Sequence, residues 1–179
     1  ANYNGASDVE QSLIVNKATQ TITFATLDAV TFGDADFDLI ATTDASGLAV
    51  SYVSSDATVA TILGSTVTIV GAGSTIITAS QAGDATFNPA SDVQQSLVID
   101  KADQTISIEA IADKLITDGG FDVTGSTTSE LTLSYAIQSG PATISGTTIS
   151  LNGTSGAVIV EVTQAGNSNY NTTSASTSF

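Results

Sequence analysis

The densest group of side chains able to do chemistry is the run Asp34-Ala35-Asp36-Phe37-Asp38. In an extended chain, side chains alternate between faces. The three carboxylates therefore share one face, while Phe37 and Leu39 turn toward a core. Calcium takes about six to eight oxygen ligands, so three aspartates supplemented by backbone carbonyls could hold one ion. A later stretch repeats the theme with Asp118, Phe121 and Asp122 but has Gly120 where Asp36 would fall. No EF-hand spacing accompanies either stretch. The candidate calcium ligands are thus Asp34, Asp36, Asp38, Asp118 and Asp122. The preferred alternative is a solvent-facing strand edge, where outward charge blocks sheet-to-sheet aggregation.

Other chemistries find little to use. The chain has no histidine and no cysteine, which removes the commonest general base and the thiol nucleophile. Disulfides and thiolate metal sites are excluded on the same ground. Gly71-Ala72-Gly73 leads into a strand pattern rather than a helix, so it is no phosphate cradle. The chain reads as a non-enzyme. Its three lysines, Lys17, Lys101 and Lys114, fall at junctions or in a turn, away from the mid-core positions an isopeptide cross-link would need. Eighteen carboxylates against three cations give a net charge of −15, which repels nucleic acid and anionic lipid. No apolar run approaches the roughly 20 residues of a membrane helix, so no membrane insertion is expected in this segment; a leader or anchor would lie outside it.

The elements that must position these residues are short β-branched segments separated by turn signals, with no sustained helical period. The first set is expected at residues 19–26, 37–41, 49–54, 59–62, 66–70, 75–81 and 93–99. The second is expected at 104–109, 121–125, 131–137, 142–144, 147–151 and 157–164. Turn signals fall at Gly33-Asp34, Ser46-Gly47, Gly64-Ser65 and Gly83-Asp84, and Asn152-Gly153 predicts a tight hairpin.

The two sets are copies. ANYNGASDVEQSLIVN before Lys17 matches ATFNPASDVQQSLVID before Lys101, a spacing of 84 residues, and QAGNSNYNTTSAS at 164–176 is a third, decayed copy. That period is the size of a small sandwich rather than a solenoid turn. Residues 1–16 read as the tail strand of a preceding repeat or as a donor strand, 17–100 as one repeat, and 101–179 as a second whose final strand is cut short. Tyr3, Phe87 and Tyr170 share one repeat position and read as packing plugs rather than sugar platforms. The Thr-x-Thr pairs recur in separate repeats rather than on adjacent strands about 4.8 Å apart, so they form no ice-binding ladder. The junctions Asn16-Lys17 and Asp100-Lys101, the latter beside Asp103, either bind calcium or set the inter-repeat angle through a shared strand; the shared strand is preferred.

Ser46-Gly47-Leu48-Ala49-Val50-Ser51-Tyr52, Val59-Ala60-Thr61-Ile62-Leu63-Gly64 and Ile77-Thr78-Ala79-Ser80-Gln81-Ala82-Gly83 resemble tandem bacterial immunoglobulin-like repeats of secreted and surface proteins, adhesins among them. The resemblance implies an all-β chain of two tandem immunoglobulin-like β-sandwiches, outside the cell or on its surface. Its expected partners are neighbouring repeats or identical subunits, with any host or cell-surface ligand bound through other domains. Three roles remain open: a stalk or spacer segment holding a terminal module away from the cell, a filament subunit joined head-to-tail by strand addition, and a calcium-dependent adhesive module.

Overall fold

In the computed structural model, residues 2–45 and 47–179 are described. Ala1 and Ser46, which open the first repeat copy and the Ser46-Gly47 turn respectively, lie outside the described residues. The chain is all-β and forms two consecutive sandwiches.

In the first sandwich, one layer contains β1 (Ile22–Phe24), β3 (Phe37–Asp38), β4 (Ala41–Thr43), β6 (Ala60–Leu63) and β7 (Thr66–Ile69). β3 and β4 are two halves of one path: the first pairs with β7 and the second with β1. The facing layer runs in the order β2 (Val30–Thr31), β9 (Val93–Asp100), β8 (Gly73–Ser80), β5 (Ser51–Ser54). This is the immunoglobulin arrangement, with a first strand that begins in one layer and crosses to the other. Its crossed part, β2, runs parallel to the end of β9, with Val30 opposite Ile99 and Thr31 opposite Asp100.

The second sandwich repeats the plan. β10 (Ile106–Ile108), β11 (Phe121–Asp122), β12 (Gly125–Thr127), β14 (Ala142–Ser145) and β15 (Thr148–Leu151) form one layer. β13 (Ser134–Ser139), β16 (Ile159–Gln164) and β17 (Thr173–Ser178) form the other. β6–β7 and β14–β15 are two-residue hairpins whose first turn residues, Gly64 and Gly146, have φ of 66° and 62°. Side chains disfavour that conformation, and glycine there matches the hairpin to the strand twist.

Period-two alternation builds both cores. Ile77 and Ala79 of β8 and Leu97 and Ile99 of β9 face Phe24, Leu39 and Val67 of the other layer. Val158, Val160 and Val162 face Val123 and Ile149 in the second, smaller core. Each fully buried aliphatic side chain contributes about 1.5–3 kcal/mol relative to exposure. A polar tie joins the layers of the first sandwich: the Ala41 N–H donates to the Tyr52 hydroxyl at 2.8 Å, and the Tyr52 ring meets Phe24 at 5.7 Å between centroids.

One expectation needs correction, and two segments depart from what their local pattern suggests. Asn152-Gly153 makes no hairpin, because β15 and β16 lie in different layers and the chain there crosses between them. β2 carries no sequence signal of its own; it is two residues long and exists through pairing with a strand nearly seventy positions away. Residues 9–16 have the strand pattern but form no strand among the described residues, because no second chain segment supplies the ladder that defines one. The final strand, β17, does form and is shorter than β9. Phe179 exchanges backbone hydrogen bonds with Val158 at 3.0 and 3.2 Å, as its counterpart Leu97 pairs with Thr75.

Candidate functional site

The five candidate aspartates each hold a separate place. Asp34 accepts the Thr31 N–H at 2.7 Å and closes the turn after β2; Asp118 does the same for the Leu115 N–H at 2.9 Å. Asp36 and Asp38 lie on the wet face and accept the hydroxyls of Thr68 and Thr66 across the strands, at 2.8 and 2.6 Å. Asp122 repeats the Asp38 contact with Thr148 at 2.6 Å. Phe37 and Leu39 turn inward as the alternation requires. Among the described residues, no three acidic side chains converge as a metal-holding group would.

Three other aspartates act as backbone caps. Asp84 takes the N–H groups of Thr86 and Phe87 and the Thr86 hydroxyl, at 2.7–2.8 Å. The Thr86 and Phe87 amides, the Thr86 hydroxyl and then the nearby Lys17 charge hold its carboxyl below the usual carboxylate value. Thr21 lowers Asp44 through its backbone N–H and then its hydroxyl, and Thr58 lowers Asp56 through its hydroxyl and then its N–H. In the second repeat Asn167 replaces Asp84 and caps Asn169 and Tyr170 at 2.8 and 2.9 Å.

A glutamine pair gives no obvious signal in single-sequence reading, apart from its recurrence. Buried Gln20 donates to Gln81 at 2.5 Å and to the Asn88 carbonyl at 2.7 Å, and accepts from the Thr43 hydroxyl at 2.9 Å. Gln104 repeats this with Gln164, the Asn171 carbonyl and Thr127. Each pair ties the first strand to the turn after the penultimate strand. Among the described residues, no buried side-chain nitrogen or oxygen lacks a partner.

The strongest candidate site is the joint between repeats. β9 ends at Asp100, and Ala102 already belongs to the second sandwich through a parallel bridge to Tyr170, so the linker is the single residue Lys101. The Ala102 N–H donates to the Asn169 carbonyl, and the Asn171 N–H donates to the Ala102 carbonyl, both at 2.9 Å. The Lys101 ammonium donates to the Asn167 carbonyl at 2.6 Å, as Lys17 does to that of Asp84. Asp103 accepts the Asn171 side-chain amide at 2.8 Å. Across the joint, the Ala72 N–H donates to Asn169 Oδ1 at 3.0 Å, and Phe32 meets Tyr170 edge-on with centroids 5.5 Å apart. Gly71 makes this approach feasible, since a Cβ there would lie 2.8 Å from the Thr58 carbonyl oxygen and 3.3 Å from Asn169 Oδ1. Of the recurring aromatics, Tyr170 packs on Phe32 and Phe87 is half-buried, whereas Tyr3 is exposed.

A second feature lies at the far end of the second sandwich. Ile116, Pro141, Leu151, Ala157, Val158 and Phe179 line an open groove of about 350 Å³ beside Lys114 and Asp113. In the first sandwich, β2 and the end of β9 fill the equivalent position.

The strand order defines the class: tandem immunoglobulin-like β-sandwich repeats. No protein-family model matches the chain, and no curated protein matches it. Among solved structures, one of Drosophila N-cadherin EC1-4 aligns over 89% of this chain and 50% of its own, at 14% identity and a TM-score of 0.33. A structure of Sidekick-1 immunoglobulin domains 1–5 aligns over 89% of this chain and 38% of its own, at 13% identity and a TM-score of 0.33. This chain thus spans half or less of either structure.

Proposed function

We propose that the chain is a structural segment of an extracellular bacterial repeat array, a stiff spacer that holds a terminal module away from the cell. The observation that carries this reading is the joint: one linker residue, a hydrogen bond from Ala72 to Asn169, and the Phe32–Tyr170 contact. A joint with so few free dihedrals converts two sandwiches into a rod, because relative domain motion needs either a longer linker or a looser contact. The resemblance to bacterial immunoglobulin-like repeats and the acidic surface support the location, since high net charge keeps crowded rods apart. The partners of this segment are its neighbouring repeats or identical copies, and any adhesive ligand binds to other domains. No catalytic step and no metal belong to the reading.

Small-angle scattering tests it. The chain is expected to fit a single extended shape, and Asn169→Ala combined with Tyr170→Ala is expected to broaden the distribution of inter-domain distances while both sandwiches stay folded. A parent chain already as broad as the double variant would sink the spacer reading.

A further inference from the structure

The two outer faces of the first sandwich differ in charge. One carries Asp36 and Asp38, each bonded to a threonine across the strands. The other belongs to β5, β8 and β9, whose outward side chains are chiefly Ser, Thr, Gln, Val and Ile. Among the described residues of those strands, the one outward charge is Asp100, at the end beside the joint. On a chain of net charge −15, this is a neutral face.

Its centre is apolar. Val53, Ile76 and Val98 are 62%, 39% and 41% exposed. Thr78 stands opposite Val53, Ser96 opposite Ile76, and Ser74 opposite Val98. Each member of the trio therefore lies two residues off its neighbour on the adjoining strand, and the three form one diagonal stripe. Neighbours at that offset are about 7–8 Å apart, still within side-chain reach. The polar groups around the stripe already hold one another: the Ser51 and Ser80 hydroxyls meet at 3.0 Å, and Gln94 donates to Thr78 at 3.3 Å. Covering them leaves fewer unpaired donors and acceptors.

The matching face of the second sandwich is interrupted by Glu161, in the middle of β16 between Ala136 and Ser176. Burying a carboxylate without a cation is strongly unfavourable, and cations are scarce here. Lys17 and Lys101 are bonded to carbonyls of their own repeats, and Lys114 lies 4.7 Å over the Phe121 ring. A contact between copies therefore needs surface free of carboxylates, which the stripe supplies.

We propose that two copies associate side by side through this face, first sandwich against first sandwich, with Ile76 at the two-fold axis. The stripe is self-complementary. A second copy turned over across it sets Ile76 on Ile76 and Val53 on Val98, the isologous arrangement of a two-fold contact. The inference goes beyond the spacer reading, because it joins chains laterally instead of end to end. Three strands about 4.8 Å apart and up to eight residues long present roughly 400 Å². That is half the ~800 Å² per partner of a standard interface, so a single contact is weak.

Sedimentation velocity of the 179-residue chain from about 10 μM to 1 mM, the range a weak contact requires, tests the proposal. A concentration-dependent dimer is expected, with amide shifts at Ser74, Ile76 and Ser96 as it forms. Ile76→Asp sets two carboxylates against each other at the axis and is expected to weaken association about tenfold or more. Leu63→Asp adds the same charge on the other layer, where Leu63 is 87% exposed, and is expected to leave association within about twofold. Ile76→Thr combined with Val98→Thr covers the case in which an aspartate disturbs β8, since threonine suits a strand. It is expected to weaken association while circular dichroism stays that of the parent. Overturning results are a monomer throughout, equal sensitivity to Leu63→Asp, association that survives both stripe variants, or shifts confined to other surfaces such as residues 2–16. Inter-domain distances at low concentration report on the joint alone, so the spacer reading stands or falls separately.

Discussion

The three capped aspartates set an expected acid response. Hydrogen bonds from Thr86 and Phe87, Thr21 and Thr58 hold Asp84, Asp44 and Asp56 below the ordinary value, near 3.9. In that range the unfolded chain binds more protons than the folded one. Their contribution is therefore fully present above about pH 4 and lost as pH falls through the folded values. Asn167 performs the cap of Asp84 without a titrating group. The turn at residues 84–87 should thus lose protection as pH falls through the folded value of Asp84 while the turn at 167–170 keeps its own, which amide hydrogen exchange followed downward from pH 6 would resolve. Equal protection changes in the two turns would contradict the assignment. The buried glutamines make a sharper demand. Gln81→Ala removes the acceptor shared by Gln20 and the Gly83 N–H, and it should cost about 1–3 kcal/mol in a denaturant melt. Gln94→Ala, on the exposed face of β9, should cost far less.

At the level of elements, the joint depends on close approach. Gly71→Ala should lower the melting temperature and weaken the Ala72–Asn169 contact, because its Cβ would press on backbone as well as on a side chain. A paired NMR comparison of the Ala72 amide in the parent chain and the variant would show this; an unmoved amide would contradict it. Most strands were legible because Val and Ile alternate with Thr and Ser between glycine turns, as in Thr66-Val67-Thr68-Ile69. Strand identity alone does not state a neighbour. β2 needed β9, and Asn152-Gly153 could not reveal that its flanking strands belong to opposite layers. The aspartates were legible as a wet face, while their Thr66, Thr68 and Thr148 partners depended on register. The glutamine pairs were hidden because polar residues in a strand pattern ordinarily read as outward-facing.

For the whole molecule, charge and metal give separable expectations. The carboxylates proposed from sequence as calcium ligands hold threonines and turns apart from one another, so the spacer reading expects chelator to leave the melting temperature and scattering profile unchanged. A drop in either on adding EDTA, reversed by calcium, would restore the calcium-dependent reading. Copies carrying −15 each repel at low ionic strength. Contacts between copies should therefore strengthen as salt is raised from about 10 mM to 150 mM, over which the Debye length falls from about 30 to 8 Å. Sedimentation velocity would follow it, and association that weakens with salt would indicate a contact made by opposite charges.

The single-residue linker at Lys101 has a geometric consequence as well as a mechanical one. A joint that fixes both tilt and azimuth applies one screw operation per repeat, so a row of equal joints winds its loops around the axis at a constant pitch. In the array proposed above, inserting or deleting a repeat would then turn whatever sits at the tip to a new compass bearing as well as changing its height.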